Sequence, residues 1–177
     1  MVVLKVTRAK PPLVGSTAVS VISDRRLPGP GFYDQAMATI FTRIINGDLP
    51  GHFVWRDDRC VAFLSINPLA PGHALVVPVE EVDHWIDLDP DLLTHLTTVA
   101  QAIGRVQNEL FEPSKVAVLV VGEEVPHVHI HVVPFRTLAD IDFANADPDP
   151  DHGELAAAAG RIGAALRDNG HSAAVTS

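Results

Sequence analysis

The segment His127-Val128-His129-Ile130-His131-Val132-Val133 decides how this chain is read. Three histidines alternate with β-branched residues. On a strand, successive side chains point to opposite faces. Such a run puts His127, His129 and His131 on one face and Val128, Ile130 and Val132 on the other. The apolar face suits a core, and the histidine row then faces a cleft. The chain has nine histidines in 177 residues, and three in strict alternation argue for chemistry rather than packing.

Outward from that run, residues 125–133 and 115–121 read as two strands separated by Gly122-Glu123-Glu124. Before them, Leu92, Leu93, Leu96, Val99, Ala100, Ile103, Val106 and Leu110 form one apolar stripe at helical spacing. Asp89-Pro90 supplies an N-cap and a first-position proline for that helix. Residues 53–56 and 60–65 read as a hairpin turning at Asp57-Asp58, and 73–79 as a further strand after the loop of Pro68, Pro71 and Gly72. Ile40, Phe41, Ile44 and Ile45 repeat at helical spacing and stop at Asn46-Gly47. The end is rich in Asp and Pro over 140–152, then reads as an Ala-rich helix over 153–167. Strands with intervening helices and a hairpin predict an α+β fold with a mainly antiparallel sheet.

Residues 1–36 have no sustained period. They read as a flexible tail, as sequence upstream of a true start at Met37, or, least well, as a targeting peptide. The expected division is this tail, a domain over 37–140, and an acidic loop with a C-terminal helix over 141–177.

Composition narrows the function classes. A net charge of −9 and a pI near 5.3 disfavour general nucleic-acid binding, which needs a basic surface. They leave a small nucleotide open, since backbone N–H groups and a few His can hold one phosphate. The single cysteine, Cys60, excludes an internal disulfide or a Cys-based zinc site. It sits in an apolar run and reads as a buried thiol in a reducing compartment, hence a cytoplasmic protein. No apolar run approaches the roughly 18 residues of a membrane span.

Two chemistries suit the histidine row. Strand residues two apart are separated by about 6.6 Å and four apart by about 13 Å. Two ligand nitrogens on one zinc ion are about 4 Å apart at most. Neighbouring histidines could therefore share a metal, with Glu123, Glu124 or His73 added, but all three on a straight strand could not easily do so. A cupin-type metal site is the lesser alternative. Covalent catalysis fits better: a neutral imidazole is a competent nucleophile near pH 7 and suits phosphorus centres. The central His would attack, and protonated flanking His would favour the phosphate. His52, His84, His95, His152 and His171 show no partner at telling spacing, and Trp55 and Trp85 read as core.

At this point the sequence resembles the histidine-triad (HIT) superfamily. The likeness extends from the triad to residues 39–45, to Leu49-Pro50, to residues 57–63, and to the Ile66-Asn67-Pro68-Leu69-Ala70-Pro71-Gly72-His73 loop with the strand after it. It covers about residues 38–136. The resemblance implies a HIT-like α+β fold: a five-stranded, mainly antiparallel sheet, two main helices and a C-terminal helix. It implies a homodimer, without cofactor or metal, that cleaves a phosphorus bond on a nucleoside monophosphate. By position His129 would carry the nucleotidyl group, His127 and His131 would hold and protonate groups at the phosphate, and His73 would complete the cluster. Ile40, Phe41, Ile44, Phe63 and Ile66 would form the base pocket, Ser65 would meet the ribose, and Gly122 and Glu123 would lie near the phosphate. The branch it resembles is the Hint-like one, acting on purine nucleotides or nucleoside phosphoramidates. A dinucleoside polyphosphate hydrolase and a catalytically weakened nucleotide-binding module are the alternatives. Two departures bear on the last: Ser65 stands where the family carries an acidic or amide side chain, and the loop before the triad is short, with Glu123 in place of an amide or hydroxyl. A carboxylate there repels phosphate or selects a cationic leaving group, unless it is a solvated turn residue.

Overall fold

The computed structural model describes residues 38–175. The readings of residues 1–36 and of a start at Met37 lie outside the described residues. Five strands, β1 (Phe53–Arg56), β2 (Cys60–Leu64), β3 (Ala74–Pro78), β4 (Lys115–Leu119) and β5 (Ile130–Phe135), form one sheet in the order β1-β2-β3-β5-β4. Every pairing is antiparallel. Three helices accompany it: α1 (Ile40–Ile45), α2 (Pro90–Phe111) and α3 (His152–Asp168). The fold is α+β, as the sequence predicts.

Local chemistry sets the element ends. Asp89 caps α2 by accepting from the Asp91 and Leu92 amides at 2.8 and 3.3 Å, with Pro90 in the first turn. Asp151 does the same for α3 through Gly153 and Glu154. The β1–β2 turn closes on Asp57, whose Oδ1 accepts from the Arg59 and Cys60 amides, each at 2.8 Å.

The sheet separates two cores. Cys60, Ala62, Leu64, Ala74, Val76, Ile130 and Val132 face α2 and α3 and pack with Leu96, Ile103, Val106, Ile162 and Leu166. Val61, Phe63, Leu75 and Val77 face the other way and pack under Phe41 and Ile44 of α1. Alternation along β2, β3 and β5 creates this division. The outer side of β1 is covered by the C-terminal segment: the Arg56 amide donates to the Ala173 carbonyl at 2.9 Å and the Val175 amide to the Val54 carbonyl at 3.2 Å.

Three predictions need correction. The strand expected over 125–133 starts its ladder only at Ile130, because Pro126 has no N–H and the His127 amide turns back onto the Val125 carbonyl at 2.8 Å. It then runs on to Phe135. The strand expected over 115–121 ends at Leu119. Trp55 is core, but Trp85 is 44% exposed, in a 3-10 turn over Trp85–Asp87 that lies before α2.

Candidate active site

His129 and His131 leave the sheet on the α1 side, while Val128, Ile130 and Val132 go into the helix-side core. His73 enters from the loop before β3, where its amide donates to the Ala70 carbonyl at 3.0 Å. A cavity of about 400 Å³ opens over these three histidines. Its apolar wall is Ile40, Phe41, Ile44, Phe63, Leu75 and Ile66, and Ser65 lies on its floor beside His73, His129 and His131. Nine sequence-predicted residues, Ile40, Phe41, Ile44, Phe63, Ser65, Ile66, His73, His129 and His131, are thus brought to one space.

Three predicted residues are not at its lining. His127 is fully buried behind it, with its ring edge toward Phe41 at a centroid distance of 6.0 Å. Gly122, at φ 71°, and exposed Glu123 stand outside. Glu124 and Val125 take the lining positions instead. Phe143 and Ala146, from the acidic stretch that carried no legible chemistry, also line the cavity. The Phe143 ring meets His131 edge-on at 5.0 Å. That stretch is tied down by the Asp147 amide donating to the Pro68 carbonyl at 3.0 Å. The tie spans residues far apart in sequence, so no local pattern announces it.

Hydrogen-bond partners fix the protons on all four rings. The Leu69 amide donates to His73 Nδ1 at 3.1 Å, so neutral His73 carries its hydrogen on Nε2. His73 Nε2 then donates to His131 Nδ1 at 3.0 Å. Neutral His131 therefore carries its own hydrogen on Nε2. His129 Nδ1 lies 2.8 Å from the His127 carbonyl, which can only accept. That places the hydrogen on Nδ1 and leaves His129 Nε2 with a free lone pair. His127 Nε2 donates to the Pro78 carbonyl at 2.9 Å, and its Nδ1 accepts from the Thr39 hydroxyl at 2.9 Å.

Burial keeps this row neutral. It pushes the His73 ring down to about 3, helped by like charge at His131 and His129. Burial with His129 beside it takes His131 to about 4. His127 and His129 are also lowered, burial being the largest cause in each. The protonated flanking histidines expected at a bound phosphate are not favoured in the empty site, where a buried imidazolium beside its like is too costly. For His129 the downward push is opposed by its bond to the His127 carbonyl and by the charge of Glu124.

A second cluster lies elsewhere. Donor atoms of Asp57, Cys60 and His95 fall within 4.8 Å of one another. Asp57 Oδ2 already accepts from Trp55 Nε1 at 2.7 Å and pairs with His95 Nε2 at 2.9 Å, and burial pushes the Cys60 thiol far above its usual range. This is the hydrogen-bonded hub of the β1–β2 hairpin, and it gives His95 the partner its sequence neighbours do not reveal.

An alternating histidine row on a five-stranded antiparallel sheet, with a fourth histidine at its end, defines a histidine-triad domain. The HIT domain family model matches residues 46–138, and the chain belongs to that family. An uncharacterized HIT-like protein of Synechococcus elongatus is 35% identical over 107 residues, covering 57% of this chain and 93% of the relative. The asymmetrical bis(5'-nucleosyl)-tetraphosphatase of Schizosaccharomyces pombe is 33% identical over 110 residues, covering 58% of this chain and 60% of that enzyme. A crystal structure of a Hit-like protein involved in cell-cycle regulation from Bartonella henselae superposes with a TM-score of 0.64 at 29% identity, covering 76% of this chain and 99% of that one. Among the described residues no helix is long and apolar enough to cross a membrane.

Proposed function

We propose that this protein cleaves a phosphorus–nitrogen bond on a nucleoside monophosphate, through a nucleotidyl intermediate on His129. The observation that carries the reading is the bond from His129 Nδ1 to the His127 carbonyl, which leaves Nε2 bare toward the cavity. The His129 Nε2 lone pair attacks phosphorus. The P–N bond breaks as the nitrogen, protonated from solvent and facing Glu124, leaves as the neutral amine, while the His131 Nε2–H donates to a phosphate oxygen. His73 backs His131 through their shared hydrogen bond. Water then attacks phosphorus, loses a proton to solvent, and frees the nucleotide as the P–Nε2 bond breaks. Positive charge on His129 in the intermediate is met by the His127 carbonyl and by Glu124.

The apolar wall around Phe41, Ile44 and Phe63 suits a purine base, and Ser65 offers one hydroxyl to the ribose. Glu124 at the lining favours a cationic amine leaving group over a polyphosphate. The Schizosaccharomyces pombe relative motivates the second reading, a dinucleoside polyphosphate hydrolase. The outer edge of β4 has no strand beside it among the described residues, and Val118 there is 57% exposed. A second copy of the chain is the proposed partner of that edge, giving the homodimer.

Turnover of adenosine 5′-phosphoramidate, compared with diadenosine tetraphosphate, tests the reading. Release of amine and AMP that stops in His129→Ala and survives a chelator is expected. AMP binding without turnover of either compound would overturn it in favour of a binding module.

A further inference from the structure

Behind the histidine row lies a polar group that the catalytic scheme does not use. Thr39 Oγ1 stands 2.9 Å from His127 Nδ1, 3.1 Å from Thr42 Oγ1 and 3.4 Å from Glu81 Oε2. Glu81 Oε2 also accepts from the Thr42 hydroxyl and, at 3.4 Å, from the Thr39 amide. None of Thr39, Thr42, Glu81 and His127 lines the cavity. They come from three places: the first turn of α1, the segment after β3, and the lead-in to β5.

We propose that Glu81, Thr42 and Thr39 form a positioning relay that fixes the ring of His127 and, through its peptide carbonyl, the tautomer and aim of His129. The proposal rests on His129 as the nucleophile for its kinetic consequence, but not for its geometry.

Donor counting supports the relay. The Pro78 carbonyl can only accept, so His127 Nε2 is protonated. A neutral His127 must then accept at Nδ1, and the Thr39 hydroxyl is the donor at hand. Thr39 Oγ1 in turn accepts from the Thr42 amide at 3.2 Å, so its one hydrogen is free for His127. The Thr42 hydroxyl spends its hydrogen on Glu81. Each group therefore has one consistent role. The Thr42 hydroxyl, the largest influence, holds the Glu81 carboxyl below its usual range, so it stays a charged acceptor. If Glu81 drew the Thr39 hydrogen instead, His127 would have either to leave its Nδ1 lone pair unmet or to donate from both nitrogens as a buried cation. The threonine pair prevents that by satisfying the carboxylate from Thr42. With its ring held at both nitrogens, His127 cannot rotate, and its carbonyl stays 2.8 Å from His129 Nδ1.

The test is a set of variants read in two ways. Nitrogen-15 resonances of the imidazoles report which ring nitrogen of His127 and His129 carries the proton, whether or not any substrate turns over. Steady-state kinetics separate kcat from KM. Thr39→Val is expected to move the His127 Nδ1 resonance and to lower kcat about tenfold, the rate equivalent of one lost buried hydrogen bond, with KM within about twofold. Thr39→Ser is expected to restore both. Thr39 also caps α1, so Glu81→Ala, which leaves the cap, is the second variant. It is expected to shift the same resonance and lower kcat about threefold, the size of an indirect coupling. Unmoved resonances in a folded Thr39→Val and in Glu81→Ala would overturn the relay. So would a raised KM at constant kcat, which would mean contact with substrate. Should the unaltered protein turn over nothing, the catalytic reading fails by itself and the resonances alone decide the relay.

Discussion

The two faces of the sheet are built from the same five strands and do different work. On the helix face, Ala62, Leu64, Val76, Ile130 and Val132 meet Leu96, Ile103, Ile162 and Leu166 in a dry apolar core. Gln107, the buried polar residue of this face among the described residues, donates to the Gly72 and Val132 carbonyls at 2.8 and 3.0 Å, while its Oε1 has no partner. On the other face, His73, His127, His129, His131 and Thr39 are all buried among Phe41, Phe63 and Leu75. Most buried polar groups must be hydrogen-bonded, since each one left unmet is costly. Here each ring is held by a neighbour, and the one ring lone pair left open is on His129, the proposed nucleophile. One face contributes stability by area; the other stores reactivity by arrangement.

That contrast can be broken by substitution. His129→Ala should lower turnover by about a thousandfold or more, as removal of a nucleophile does, while urea unfolding moves little because a cavity wall is lost rather than core packing. Ile103→Ala should do the reverse. Ile103 is fully buried on α2, and its truncation should cost about 2–5 kcal/mol. The denaturation midpoint should fall, with kcat and KM unchanged well below the melting temperature. Equal losses of activity and stability in both variants would erase the distinction.

Gly72 is where the faces meet. It sits at φ 83°, and a Cβ there would lie 2.4 Å from the Phe111 ring of α2. Its carbonyl takes the Gln107 bond, and the next residue is His73. Gly72→Ala should therefore cost about 1–3 kcal/mol through backbone strain and the clash, and should also lower kcat, by displacing His73. A change in stability alone would show the faces to be more independent than the geometry implies.

The last effect expected is from pH. His73 and His131 sit well below 6.5 in the fold, at about 3 and about 4. The unfolded chain then binds more protons than the native one between those values and 6.5, so stability is complete above about pH 6.5 and declines as pH falls toward 4. Urea midpoints measured across that range should fall with acid. His73→Gln should flatten the slope; an unaltered slope would mean the histidine face is not buried as described.

How much of this was legible in the sequence follows from range. Elements whose signals are local came through: the stripe of α2 with its Asp89 cap, the Asp57 hairpin, and the alternation that sends Ile130 and Val132 one way and His129 and His131 the other. What failed was long-range or depended on a shift of one residue. Glu123 was expected at the phosphate, yet Glu124 lines the cavity, because a turn re-aims side chains where a strand would alternate them.

The sequence by itself determined the fold class, the two-faced strands and the presence of a histidine row, since period, caps and proline act within a few residues. Only the tertiary structure decided which nitrogen of each ring holds its proton. That depends on Leu69, Pro78 and Thr39, which the chain brings to the histidines from distant elements. It also decided that Phe143 closes the cavity and that His127 stands behind it. Tautomers and cavity walls are set by contacts between distant segments, and a side chain's partner across the core leaves no mark on its own neighbours in sequence.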